Sequence, residues 1–169
     1  MLWKEILIRY GELTTKGRNR KDFIQQLKYN IKYISSDIGR LIIRAERDRM
    51  YIELDNEEQF EKLMEKLPRV FGISSFSPVA MCEKEMGSIQ QLAQTIMDRY
   101  KDREITFKVE VHRSDKSFPY QTYDIQKAVG GYLLKNNPNL SVNVKNPDVE
   151  LRVEIRKEAA YLMSEVIHG

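Results

Sequence analysis

Residues 40–54 read RLIIRAERDRMYIEL, and their reading decides how the first half of the chain folds. Two apolar runs meet at Arg47-Asp48, so they are expected to form two strands joined by a tight hairpin. In the second run Met50, Ile52 and Leu54 alternate with Tyr51 and Glu53, the period of an antiparallel strand with one buried face. Upstream lies a helical stripe of Phe23, Ile24, Leu27, Ile31 and Ile34, with Asn19 as N-cap and Asp22 in its first turn. Gly39 closes that connection, and the run EILIR before the stripe reads as a strand. Downstream, Asp55 or Asn56 caps a second helix whose apolar positions are Phe60, Leu63, Met64 and Leu67. Pro68 and Gly72 stop it, and ISSFSPVAM follows as a strand. The hairpin therefore sits at the middle of a β-α-β-β-α-β order, the ferredoxin-like unit.

A second unit follows. Ser88 with Gln91 forms a capping-box pattern ahead of Ile89, Leu92, Ala93, Ile96 and Met97. ITFKVEV is a strand. After the loop HRSDKSFPYQ, Thr122 is positioned to cap a helix with Ile125, Ala128, Val129, Tyr132 and Leu133 inside, ending at Asn137-Pro138. SVNV is a short strand, and ELRVEIR and AAYLMSEV form a hairpin turning at Lys157-Glu158. The fold expected is α+β: a ferredoxin-like domain over residues 1–75 and a second α/β domain over 76–169.

Composition narrows the function classes. The 169 residues are 41% hydrophobic and 31% charged, a globular profile, and no apolar run approaches the ~20 residues of a membrane span. No membrane association and a cytoplasmic location are expected. The single cysteine, Cys82, excludes an internal disulfide, and its acidic flank raises rather than lowers a thiol pKa, so it reads as a small half-buried residue. His112 and His168 stand far apart, which leaves no metal-ligand spacing. Net charge is only +3, so an anionic partner has to be argued from where the cations lie.

Two strand-to-helix connections concentrate them. RYGELTTKGRNR, residues 9–20, sets Lys16, Arg18 and Arg20 around Gly11 and Gly17, before a helix N-terminus that favours anions. HRSDKSFPYQTY, residues 112–123, interleaves Arg113 and Lys116 with Phe118, Tyr120 and Tyr123; cations for phosphates and rings for bases suit single-stranded nucleic acid. Phe118 either stacks on a base or pins the loop. The pair Gly130-Gly131 interrupts the best helix of the second unit at ~1 kcal/mol per glycine relative to alanine. Close packing accounts best for Gly130, and approach of a ligand backbone for Gly131. Asp148, in NPD, reads as a turn and strand-start residue. No phosphate loop of Walker or dinucleotide type and no catalytic triad set is present in the sequence.

At RYGELTTKGRNR with Phe23, Gln26, Leu27 and Asn30, and again at FKVEVHRSDKSFPYQ, NPDVELRVEIR and the helix glycines, the sequence resembles the tRNA 4-thiouridine synthetase (tRNA uracil sulfurtransferase, ThiI) family over essentially its whole length. The resemblance implies a ferredoxin-like domain followed by a THUMP domain, which together grip the acceptor stem and 3′ CCA end of tRNA. It implies that Arg113, Lys116 and Phe118 serve RNA binding, with Lys16, Arg18 and Arg20 as a second patch. Lys108, Lys127 and Gly131 complete the expected set, and no catalytic or metal-ligating residue is expected. In the family a third domain with a PP-loop uses ATP and magnesium and receives persulfide sulfur from a cysteine desulfurase. This sequence ends at SEVIHG, where the linker to that domain would begin, so the chain alone is expected to hold no cofactor and to be inactive. The family often dimerises, and some members serve thiamine thiazole synthesis. Two alternatives stand beside this reading: a stand-alone RNA-binding THUMP protein that works with a separate enzyme, and a ferredoxin-like small-ligand or regulatory protein.

Overall fold

The computed structural model describes residues 1–10, 20–46 and 49–169. They divide into two units, Met1–Val79 with Val166–Gly169, and Ala80–Glu165.

The first unit runs β1 (Glu5–Arg9), α1 (Arg20–Ile34), β2 (Ile42–Ala45), β3 (Arg49–Glu53), α2 (Glu57–Lys66) and β4 (Ser75–Cys82). All pairings are antiparallel, in the order β2-β3-β1-β4. This is the βαββαβ topology expected of a ferredoxin-like domain. The hairpin is present in register, with Ala45 opposite Met50 and the Glu46 N–H donating to the Arg49 carbonyl at 2.8 Å. Its turn residues, Arg47-Asp48, lie outside the described residues. Ile6, Ile8, Met50, Ile52 and Phe76 are fully buried on one face of the sheet, as are Leu27 and Ile31 of α1 and Leu63 of α2. Asn56 caps α2: its side chain accepts from the Gln59 N–H at 2.8 Å, while the Gln59 side chain accepts from the Asp55 N–H at 2.8 Å. That reciprocal pair satisfies two donors that a helix start otherwise leaves unbonded. At the other end Lys66 ties α2 to α1, donating to the Ile34 carbonyl at 3.0 Å and to Asp37 at 2.9 Å.

One expectation fails here. β3 is not a strand with one solvated face, because Tyr51 is only 1% exposed. The Arg44 guanidinium lies 4.7 Å over its ring, and the same arginine pairs with the buried Glu5 at 3.1 Å. Leu7, Ser77 and Val79 on that face are buried too. A period-two pattern with polar tips cannot reveal such a face when long arginine stems cover it.

The second unit contains α3 (Met86–Met97), β5 (Ile105–Arg113), α4 (Thr122–Asn136), β6 (Leu140–Val142), β7 (Val149–Ile155) and β8 (Ala160–Met163). β5 is paired in parallel by β6 on one edge and by β7 on the other, and β8 runs antiparallel to β7. β8 in turn pairs with Ala80–Cys82, the last part of β4. The boundary read at 75/76 thus falls inside β4, whose first five residues pair with β1. A short β9 (Ile167–His168), which the sequence did not announce, pairs with Ser75 and Phe76 of the first unit. Phe107, Leu151, Val153, Ile155 and Leu162 of the sheet are fully buried, as are Ile89, Ala93, Ile96, Ile125, Val129 and Leu133 of the helices. Cutting Phe107 back to alanine in such a core costs about 3–5 kcal/mol.

Two helix starts differ from expectation. α3 begins at Met86 with Glu85 as N-cap, so Ser88 lies inside its first turn. The earlier start adds the bond from the Ile89 N–H to the Glu85 carbonyl at 3.0 Å, which a cap at Ser88 would forfeit. α4 is capped by Gln121 rather than Thr122, in a capping box with Asp124. Its C-terminus follows the reading: Asn137, 3% exposed, donates to the Leu133 carbonyl at 2.8 Å and exchanges amide bonds with Gln94 of α3 at 2.7 and 2.8 Å. No helix among the described residues is long and apolar enough to cross a membrane.

Candidate nucleic-acid interface

The connection from β5 to α4 is built as a fixed platform. Asp115 organises it: one carboxylate oxygen accepts from the Ser117 N–H at 3.0 Å and hydroxyl at 2.6 Å, and the other from Lys84 at 2.5 Å. The Lys84 and Ser117 bonds hold the Asp115 carboxyl down at a pKa of about 2. The N–H groups of Ser114 and Asp115 and the Ser114 hydroxyl all reach the Ile155 carbonyl, at 2.9, 3.2 and 3.1 Å, which clamps the loop to the end of β7. Inside it, Phe118 is 6% exposed, with Tyr120 packed at 5.6 Å between ring centroids. Of the two roles left open for Phe118, the buried ring takes the anchoring one and offers no face to a base.

Arg113 also turns inward. Its guanidinium donates to the Phe118 carbonyl at 3.1 Å and to the Gln121 side chain at 3.2 Å, bridging the loop to the cap of α4. It is half-buried, and two of its five N–H donors go to shaping the loop. Lys116, by contrast, is exposed and has no partner among the described residues. Tyr120 and Tyr123 are 42% and 70% exposed. Lys127 and Gly131 are exposed on α4 at i+4 and i+8 from Tyr123, and so share one helix face with it. A Cβ placed on Gly131 would meet nothing within 4 Å, so no packing in this chain requires that glycine. A Cβ on Gly130 would meet only Val109, at an ordinary 4.0 Å, so the packing reading of Gly130 has no close contact behind it.

The helix start is a poorer anion cradle than the sequence suggested. Its capping box gives the Asp124 N–H to Gln121 and the Gln121 N–H to Asp124, at 3.3 Å for the latter, and Asp124 adds a negative charge. The capping box takes two of the N–H groups at this helix start, and the exposed Lys116 and Lys127 add positive charge near it. Beside α4, β6 stops at Val142 and leaves the β5 edge open beyond Phe107. A cavity of about 270 Å³ lies there, bordered by Val109, Gln126, Gly130 and the exposed Val142 and Val144.

Lys108 borders the same cavity, but its charge is matched by acids. It lies between Glu110 and Glu150, at 3.7 and 3.8 Å, on a sheet face where charges alternate. There Glu154 is held by Arg152 at 2.8 Å and Arg156 at 2.9 Å; burial pushes its carboxyl up, but the two arginines outweigh that and keep its pKa below the usual range. Such a face carries little net positive field. Arg20 opens α1 and is half-buried, while Lys16 and Arg18 lie outside the described residues. Asp148 bonds the Thr106 N–H at 2.9 Å and hydroxyl at 3.0 Å, which lowers its pKa and fixes the start of β7, the structural role read for it. Burial, then Glu83, pushes the Cys82 thiol up to about 11. The parts that sequence reasoning missed, Lys84, Gln121 and the Ile155 carbonyl, are joined to the loop by distant or main-chain atoms. Only the capping pair Gln121 and Asp124 carried a local signal.

The ThiI ferredoxin-like domain model matches residues 5–77, and the THUMP domain model matches residues 83–165. A probable tRNA sulfurtransferase of Lysinibacillus sphaericus is 58% identical over all 169 residues, which cover 42% of its length. The fold superposes on 98% of the chain with a crystallised 4-thiouridine synthetase–RNA complex with bound ATP, at a TM-score of 0.84 and 27% identity, covering 42% of that chain. A Pyrococcus horikoshii protein is similar over 98% of the chain at a TM-score of 0.79 and 29% identity, covering 55% of that protein. The present chain spans less than half the length of the curated relative it matches. With the two domains in order and a relative aligned along all of this chain, the chain belongs to the ThiI family, of which it carries the ferredoxin-like and THUMP domains.

Proposed function

We propose that this chain is the tRNA-gripping part of an ATP-dependent sulfurtransferase that makes 4-thiouridine, and that it holds the acceptor stem and the 3′ CCA end. The observation that carries the reading is the pre-organised β5–α4 loop. It presents Lys116, Tyr120, Tyr123 and Lys127 together on a rigid support, which suits phosphates beside unstacked bases. The likeness to a synthetase crystallised with RNA supports it. In this reading ATP, magnesium and the cysteine desulfurase belong to a catalytic domain beyond these residues. The work is cytoplasmic, a homodimer presents the RNA, and the sulfur also serves thiamine thiazole synthesis.

Fluorescence anisotropy with a tRNA transcript tests the reading. Lys116→Glu removes a contact and adds repulsion, at a cost of about 1–3 kcal/mol of binding, with the melting temperature unchanged. Arg113→Ala lowers both, because the loop loses its bridge between Phe118 and Gln121. Lys62→Gln, on α2, leaves binding unchanged. Trimming the 3′ single strand weakens binding, since a stem offers no unstacked bases. Wild-type affinity in the Lys116 variant would remove the loop from the interface.

A further inference from the structure

The sheet of the first unit ends on one side at β2, whose one strand partner among the described residues is β3. In their hairpin the Glu46 N–H donates to the Arg49 carbonyl, so Glu46 turns its main chain toward β3. Alternation along an antiparallel pair turns Arg44 and Ile42 the same way, and leaves the N–H and C=O groups of Ile43 and Ala45 pointing off the sheet. Those are the groups that a further strand would bond. β2 has neither a proline nor a bulge to deter one, and its Ile42 is 53% exposed.

A hollow of about 370 Å³ lies beside the start of this edge, bordered by Lys32, Gly39, Arg40, Leu41, Ile42 and Ile43. Lys32 and Arg40 have no hydrogen-bond or ion-pair partner among the described residues, and no acidic residue borders the hollow. A strand that brought a carboxylate there would meet two unmatched cations. β2 itself carries such a group just past its other end, at the exposed Glu46.

The geometry points to a second copy of this chain as the occupant: β2 pairs antiparallel with β2 of the other copy, about a two-fold axis through Ile43. An axis normal to the sheet keeps the helices of both copies on one side, so odd positions face odd and even face even. Centred on Ile43, the pairing sets Arg40 opposite Glu46 of the second copy, and Glu46 opposite its Arg40. The same face sets the exposed Ile42 against the Arg44 stem of the second copy. On the helix side Ile43 meets Ile43 and Leu41 meets Ala45, all apolar. An axis through Arg44 would oppose the two Arg44 residues, and an axis through Ile42 would oppose Arg40 and Arg44 twice. Like charges directly opposite are destabilising, so charge selects the Ile43-centred register. A strand suits this edge better than RNA, because its free groups alternate donor and acceptor, whereas phosphate oxygens only accept. The inference rests on the homodimer of the functional reading and names the surface that joins its copies.

The test is sedimentation velocity of the whole chain over a concentration series, read beside melting temperature and tRNA anisotropy. The wild-type chain is expected to pass from monomer to dimer as concentration rises. Ile43→Pro removes an N–H that β3 does not use, and is expected to give a monomer that melts close to wild type. Arg40→Glu and Glu46→Arg are each expected to weaken dimerisation by about tenfold or more. Mixed in equal amounts, the two charge variants are expected to regain the wild-type dissociation constant, because every position then faces an opposite charge again. A wild-type chain that stays monomeric throughout overturns the inference. So does a dimer that persists in all three variants, which leaves the homodimer standing but joined elsewhere. A mixture no more dimeric than its components overturns the Ile43-centred register. If Arg40→Glu instead weakens tRNA binding with the dimer intact, the edge is an RNA contact and the inference falls. Failure of the wild type to bind tRNA removes the functional reading alone, since the dimer is read without RNA. Should Glu46→Arg melt early, Ile43→Pro and Arg40→Glu decide, both altering groups with no partner among the described residues.

Discussion

Asp115 fixes the shape of the loop that presents Lys116, and it does so only while ionised. Its pKa, held to about 2 by Lys84 and Ser117, lies below the ~3.9 of an unfolded aspartate. A depressed folded-state pKa means that the carboxylate stabilises the fold above about pH 4 and that this contribution drains away as pH falls through about 2. Asp115→Asn should therefore lower the melting temperature at neutral pH and flatten its fall between pH 4 and pH 2, as calorimetry across that range can read. An acid limb as steep in the variant as in the wild type would mean that other carboxylates, such as Glu154, carry it. The arginine beside this aspartate teaches a related point. Arg113 was the first cation expected to face RNA, yet a planar guanidinium next to a carbonyl and an amide oxygen finds its partners within the loop.

At the scale of elements, α4 combines a structural helix with an exposed face interrupted by glycine. Gly131 has no neighbour within 4 Å for an added Cβ and no positive φ, so alanine fits there without strain. Gly131→Ala should raise stability by about 0.5–1 kcal/mol, seen as a higher midpoint in urea. If glycine stands there to let an RNA backbone approach, the same variant binds tRNA more weakly. A gain in stability with unchanged binding would leave Gly131 without a ligand role. α1 and α2 make a second contrast, since both bury an apolar stripe, with Leu27 and Ile31 on α1 and Leu63 on α2, while their outer faces differ in sign.

At the scale of the whole molecule, the chain divides into two units that both draw on β4. The last residues return to the first unit: β9 pairs Ile167 with Phe76, and the Gly169 N–H reaches the Ser74 carbonyl at 3.1 Å. Ile167→Pro removes a strand donor and should lower the stability of the ferredoxin-like unit by on the order of 1 kcal/mol. Hydrogen exchange resolved to each unit would show faster exchange confined to the first. Equal acceleration in both would mean that the two units open as one.

The sequence by itself determined the element order, because amphipathic periods of 3.6 and 2 and the breakers Gly39, Pro68, Gly72 and Pro138 are local properties. The ferredoxin-like half, the hairpin from β2 to β3, the Asn137 stop of α4 and the structural role of Asp148 were all legible at that level. The family was legible too, from motifs spread over the whole length. Tertiary structure decided the rest. Which loop residues are free and which are spent depends on atoms far away in sequence: Lys84 and Ile155 turn a basic, aromatic loop into a platform, bury Phe118 and occupy Arg113. Lys108 looked available until pairing brought Glu150 beside it. A charge counted along the chain becomes a field only once its neighbours across strands are known, because screening and ion pairing act through space.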